Sequence, residues 1–138
     1  MLKRVGTDNC LDCPLGKIRD GEGTLVVKNW IVPDAEVCFH GLGPGKQEAE
    51  NGTPFIGAAG KKLREAITKA GYDVDKVSFT NSVLCKPPNN KIDSTMTVPC
   101  LHHFKESLKL MPNLKIVALC GCDSYTAITG KKTTLKNV

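Results

Sequence analysis

An apolar run, Ala35-Glu36-Val37-Cys38-Phe39, empties into Gly41-Leu42-Gly43-Pro44-Gly45-Lys46-Gln47-Glu48, and a helical pattern resumes over residues 58–67. A buried strand, a Gly/Pro loop and a helix in that order constrain the fold more than any other stretch, because α/β proteins bind ligands at such junctions. Gly41, Gly43 and Gly45 place three glycines within five residues. With no Cβ in the way, their backbone N–H groups can approach a ligand closely, and Pro44 stiffens the turn. Glycines alone would also suit an ordinary strand-to-helix turn.

The rest of the chain repeats this alternation. Residues 24–27 read as a short strand, and Trp30-Ile31-Val32-Pro33 leads toward the next one, with Pro33 keeping the join irregular. Leu63, Ala66, Ile67 and Ala70 have helical spacing, with Gly71 as a stop. Residues 77–84 suit a strand, and Pro87 and Pro88 exclude regular structure after it. A long loop to Pro99 precedes a helix over residues 100–110, which Pro112 ends. Residues 114–121 carry the strongest buried-strand pattern, and 123–129 begin another helix. Residues 1–23 are polar and glycine-rich without a period, so they read as a loop. The order predicts a three-layer α/β/α fold with a central parallel sheet, in one domain spanning 1–138. Ligand loops then fall at the carboxyl ends of the strands, at residues 41–55, 81–91 and Gly121.

The balance of 19 basic against 14 acidic residues, net +5, permits a polyanionic partner without requiring one. No apolar run approaches the ~20 residues of a membrane span, and residues 1–6 lack a signal-peptide core, so a cytoplasmic protein is expected. Seven cysteines in such a chain point to metal binding or burial rather than disulfides. The odd count fits four ligands plus three buried thiols, and Cys10-Leu11-Asp12-Cys13 has the spacing of two sulfurs on one metal centre.

Four segments taken together resemble the family 4 uracil-DNA glycosylases, which carry an iron–sulfur cluster. These are C-x-x-C-P-L from Cys10, G-L-G-P-G-K-Q-E from Gly41 with N-G-T-P-F-I-G from Asn51, T-N-S-V-L-C-K-P-P-N-N from Thr80, and Cys100 at the opening of a helix. The resemblance extends to the glycosylase-like domain fused to some bacteriophage DNA polymerases, which makes a replication protein a second expected partner beside DNA.

The resemblance implies Cys10, Cys13, Cys85 and Cys100 as ligands of a 4Fe-4S cluster stapling the N-terminal loop. A four-cysteine zinc site would satisfy the same residues. Cys38, Cys120 and Cys122 are then expected to be buried small hydrophobes. Gly41, Leu42, Gly43, Gly45, Phe55 and Asn81 become substrate-binding residues. Phe55 would stack on an extruded uracil, and Asn81 would read its edge, donating to a carbonyl oxygen and accepting from the ring N–H. Core packing for Phe55 and a turn role for Asn81 are the plain alternatives.

Two departures from the family stand out. Its G-E-x-P-G motif has a catalytic Glu where this chain has Leu42, leaving Glu48 as the candidate catalytic carboxylate, with a solvated loop Glu as the alternative. The late H-P-S-like motif, whose His stabilises the leaving base, has no counterpart in the sequence. His102 and His103 read as surface residues. Lys46, Lys61, Lys62, Lys86 and Lys91 flank the pocket loops and suit phosphate contacts with single- or double-stranded DNA, or else are scattered solubilising lysines. The expected activity is hydrolysis of the uracil–deoxyribose bond. A catalytically reduced module that binds DNA or a replication partner is the main alternative, and a zinc-stabilised nucleotide-binding protein a weaker one.

Overall fold

Strand pairing explains most of the architecture. In the computed structural model, which describes residues 1–7, 10 and 13–134, five strands form one sheet. They are β1 (Lys3–Val5), β2 (Asn29–Ile31), β3 (Val37–Gly41), β4 (Ser78–Asn81) and β5 (Ile116–Leu119), in the order β1-β2-β4-β3-β5. The helices are α1 (Pro14–Glu22), α2 (Lys46–Asn51), α3 (Ala58–Lys69), α4 (Ser94–Lys109) and α5 (Cys122–Thr129). β3 pairs in parallel with both β4 and β5, giving the expected parallel centre, while β2 and β1 extend it in antiparallel fashion. The sheet is therefore mixed, within the expected α/β class.

Alternation along the strands separates two faces. Phe39 and Phe79 point to one side, where Phe55, Leu63 and Ile67 of the α3 region pack on them. Cys38 and Ile31 point to the other, where they join Leu108 and Met111 at the end of α4. His40, also on that side, lies against the Phe104 ring of α4 at 4.3 Å. The sheet is thus sandwiched between helices.

Several expectations from sequence need correction. Residues 1–23 are not a plain loop, since they hold β1 and α1. Pro14 starts α1 where its missing N–H costs nothing, and Gly23 closes it in the left-handed conformation at φ 66°. Residues 24–27 are extended but form no regular strand; Leu25 N–H donates to Ala49 O and Val27 N–H to Leu84 O. The fourth helix begins at Ser94, capped by Asp93, so Cys100 lies inside it rather than at its opening. β5 is a sheet edge with Ile116 57% exposed, so the apolar run marks a strand covered on one side only. Among the described residues no helix is long and apolar enough to cross a membrane.

Burial also reassigns two histidines. His103 is buried, with its Nδ1 atom left without a hydrogen bond, and only His102 is exposed. His40 is fully buried, hydrogen-bonded through Nδ1 to Thr80 Oγ1 and through Nε2 to Ser82 Oγ, both at 2.7 Å.

Burial lowers the His40 pKa to about 4. Unfolded, the imidazole takes its proton near pH ~6.5. Between those values the unfolded chain binds more protons than the folded one, so stability is present above the unfolded pKa and declines as pH falls toward the folded one. The loss amounts to about 3 kcal/mol at most. Denaturant midpoints measured across that range should fall with acidification, and His40→Gln should flatten the slope; an equally steep slope in the variant would remove His40 as the cause.

Candidate functional site

A cavity of about 490 Å³ opens at the carboxyl ends of β3 and β4, lined by residues 41–48, Phe55, residues 57–60, Asn81 and Cys120. Gly41, Leu42, Gly43, Gly45, Glu48, Phe55 and Asn81, all singled out by sequence, meet there. Asn81 is 4% exposed and ends β4 opposite Gly41 in the parallel register. A Cβ on Gly41 would stand 2.7 Å from Asn81 Oδ1 and 2.9 Å from Phe55 Cζ. Only glycine lets the amide and the ring converge across that floor.

Phe55 is held in an unusual backbone conformation, with φ +55°. For a bulky residue this is costly and persists only where surrounding contacts enforce it. They do. Arg64 donates from Nε to Phe55 O at 2.8 Å and from Nη2 to Pro54 O at 3.0 Å, and its guanidinium covers the Phe79 ring at 4.4 Å. Gly60, in the first turn of α3, lies so close beneath the Phe55 backbone that a side chain there would overlap it. The Phe55 ring leans on Phe79, centroids 5.2 Å apart, and its remaining surface faces the cavity. Arg64 was not singled out from sequence, since nothing in a helical arginine indicates that it braces a loop nine residues earlier.

Glu48 is buried, and its carboxylate is fully engaged by the backbone. Oε1 accepts from Gly45 N–H at 2.9 Å; Oε2 accepts from Ile56 N–H at 3.0 Å and from Gly57 N–H. Gly45 precedes α2 and Gly57 precedes α3, so one side chain caps two helices and ties both halves of the pocket loop together. A carboxylate so occupied orients backbone before it orients anything else.

Cys13, Cys85 and Cys100 are buried in one apolar cluster, with Cys10 packed against it. The Cys100 thiol is pushed up to about 12, first by burial and further by Cys85, Cys10 and Cys13. Arg19, on α1, donates from Nη1 toward Cys85 Sγ at 3.6 Å. The sequence gives no hint of this arginine. Among the described residues, no three or more His, Cys, Asp or Glu side chains stand as a ready ligand group for a metal ion. The donor chemistry of the four cysteines fits a thiolate-bound centre, which would hold Cys85 and Cys100 deprotonated against the burial that raises both thiols. Cys38 is buried as expected, but Cys120 is exposed on the cavity rim and Cys122 half-buried, because β5 ends at the sheet edge.

Of the basic residues, Lys46, Lys61, Lys62 and Lys91 are exposed. Lys46 stands 3.9 Å from Glu50, and Lys86 donates to Pro87 O at 3.4 Å.

Comparison with known proteins bears on this geometry. The family model described as "Uracil DNA glycosylase superfamily" matches residues 29–137. A type-4 uracil-DNA glycosylase of Pyrobaculum aerophilum is 37% identical over 116 residues, covering 80% of this chain and 55% of that protein. One from Thermotoga maritima is 32% identical over 134 residues, covering 94% of this chain and 66% of that protein. A third, from Archaeoglobus fulgidus, is 46% identical over 83 residues, covering 60% and 40%. The chain thus spans between 55% and 66% of the first two relatives it matches. These relatives lend no support to the bacteriophage polymerase expectation.

The Glu48 clamp can be tested without any substrate. Glu48→Ala leaves three backbone N–H groups without their acceptor, and hydrogen bonds to charged groups contribute about 1.5–3 kcal/mol each. A loss of roughly 2–4 kcal/mol is expected, with faster amide exchange at Ile56 and Gly57. Wild-type stability and exchange in that variant would show the clamp to be dispensable.

Proposed function

The chain belongs to the uracil DNA glycosylase superfamily, and from that premise we propose that it binds uracil-containing DNA and hydrolyses the uracil–deoxyribose bond, in base-excision repair. The convergence of Phe55 and Asn81 on one cavity carries this reading. Extrusion places the base in the cavity, Phe55 offers its ring face, and Asn81 meets the edge with one donor and one acceptor. Cytosine reverses that donor–acceptor pattern at the exocyclic position, so it is refused. As the N-glycosidic bond breaks, its electron pair leaves with uracil; water then adds to the sugar carbon, and the proton it sheds ends on the uracil anion. Residues 57–60, where α3 begins, border the cavity, and the N–H groups there that Glu48 does not occupy are the donors available to the departing anion. Glu48 serves this reaction by fixing the loop that bears Phe55.

We read Cys10, Cys13, Cys85 and Cys100 as the ligands of a 4Fe-4S cluster, which supplies a structural staple between α1, the end of β4 and α4. Cys10 packs against the buried Cys13, Cys85 and Cys100, which supports one shared thiolate centre, and the family resemblance favours iron–sulfur over a four-cysteine zinc site. The Arg19 N–H groups would then stabilise the Cys85 thiolate. Lys46, Lys61, Lys62, Lys86 and Lys91 are read as phosphate contacts, residues 1–138 as one glycosylase-like domain, and the location as the cytoplasm.

A second reading rests on one observation. Among the described cavity residues, the sole carboxylate, Glu48, is fully engaged, and Leu42 supplies no other. A module that grips uracil-containing DNA while cleaving it slowly would look like this.

Incubation with a uracil-containing oligonucleotide followed by alkali separates the two. Strand nicking that falls at least tenfold in Asn81→Ala and Phe55→Ala supports the glycosylase; uracil-dependent binding without abasic product supports the module. Unchanged rates in both variants would remove the pocket assignment. Iron and sulfide analysis of anaerobically purified protein should find both elements, with Cys85→Ser lowering their content; a colourless sample holding zinc would replace the cluster.

A further inference from the structure

The ladder between β2 and β4 is short, with Trp30 opposite Phe79 as its register pair. On either side of it, side chains rather than backbone carbonyls accept the backbone N–H groups. At one end Val32 N–H donates to Ser78 Oγ at 2.8 Å. At the other, Asn81 N–H donates to Asn29 Oδ1 at 3.0 Å. That second substitution occurs at the residue whose amide lines the cavity.

Asn29 is 1% exposed and is itself held. Its Nδ2 donates to Ser107 Oγ at 3.2 Å, and Ser107, fully buried on α4, donates its hydroxyl to His103 O at 2.7 Å. The directions are forced by this chemistry. Ser107 has one proton and spends it on a carbonyl, so Asn29 must present N–H to it and C=O to Asn81. Every member is buried, so a break anywhere leaves a polar group without water to replace its partner.

We propose that Asn29 is a positioning residue for Asn81, and that the relay Asn81–Asn29–Ser107 aims the uracil-reading amide from α4, the helix that also carries Cys100. This rests on the glycosylase reading of the cavity. Pinning the Asn81 N–H fixes the direction in which its Cβ leaves the strand, and with it the amide across from Gly41. Neither Asn29 nor Ser107 lines the cavity, so both act through Asn81. The strand neighbours cannot do this, because the parallel bonds to β3 leave the opposite edge of β4 to Asn29.

Two readouts on the full chain test it. Amide exchange by NMR reports the Asn81 N–H directly, and steady-state excision from uracil-containing DNA, with competition by a cytosine-containing duplex, reports recognition. Asn29→Ala should raise Asn81 exchange at least tenfold and lower uracil kcat/KM at least tenfold, with reduced preference over the cytosine competitor. Ser107→Ala, a smaller lesion that keeps the Asn29 acceptor, should shift both in the same direction by about threefold, and it carries the test should Asn29→Ala not fold. Unchanged Asn81 exchange in a folded variant overturns the relay. Raised exchange with uracil preference intact overturns the positioning role. A wild-type chain that neither cleaves nor prefers uracil sinks the glycosylase reading before any variant is made, and the recognition role of Asn29 with it, while Asn81 exchange still decides whether the relay exists.

Discussion

One carboxylate holds the pocket's architecture together. The Glu48 oxygens collect N–H groups from Gly45, Ile56 and Gly57, so the turn leaving β3 and the turn entering α3 cannot separate. Between those turns lies Phe55 in a backbone conformation that would relax if either end were released. Arg64 and Gly60 hold it from below, but they act on a loop whose ends Glu48 has already fixed. A charged acceptor on several amides is among the stronger interactions available to a buried loop, and it is unaffected by the side-chain entropy of a flexible ion pair.

The sheet divides its labour between its faces. On the cavity side, Gly41 leaves room for a ligand, and Phe79, with Phe39 behind it, backs the Phe55 ring that borders the cavity. On the α4 side, buried polar groups pair off in two sets, His40 with Thr80 and Ser82, and Asn29 with Ser107. Such networks cost stability when incomplete and confer a unique arrangement when satisfied. Rigidity on one face therefore serves placement on the other, because consecutive residues of β3 and β4 alternate between them.

Local pattern was enough to locate the cavity. A strand, a glycine-rich turn and a helix in sequence define a place as well as an order, and the loop that bears Phe55 and the strand that ends at Asn81 are brought together by the parallel pairing of β3 and β4. What stayed hidden depended on neighbours. β1 is three residues long and exists because β2 lies beside it. The apolar pattern of residues 114–121 could not report that Ile116 lies at a sheet edge, nor that Cys120 would emerge at the cavity rim. His103 reads as polar, yet α4 turns it inward beside Phe104. Arg64, Arg19 and Asn29 are ordinary residues in sequence, and only tertiary distance gives them work. The Glu48 spacing from Gly45 did carry a capping signal, but its reach to Gly57 is a property of the folded loop.

The central claim is that this cavity is shaped for uracil by Phe55 and Asn81, and a titration with the free base tests it without DNA, cluster chemistry or turnover. Followed by NMR, uracil should shift the side-chain amide of Asn81, the ring of Phe55 and the glycines of residues 41–45 in a saturable manner, while cytosine at the same concentrations leaves them in place. Equal responses to the two bases, or shifts confined to another face of the sheet, would contradict the account.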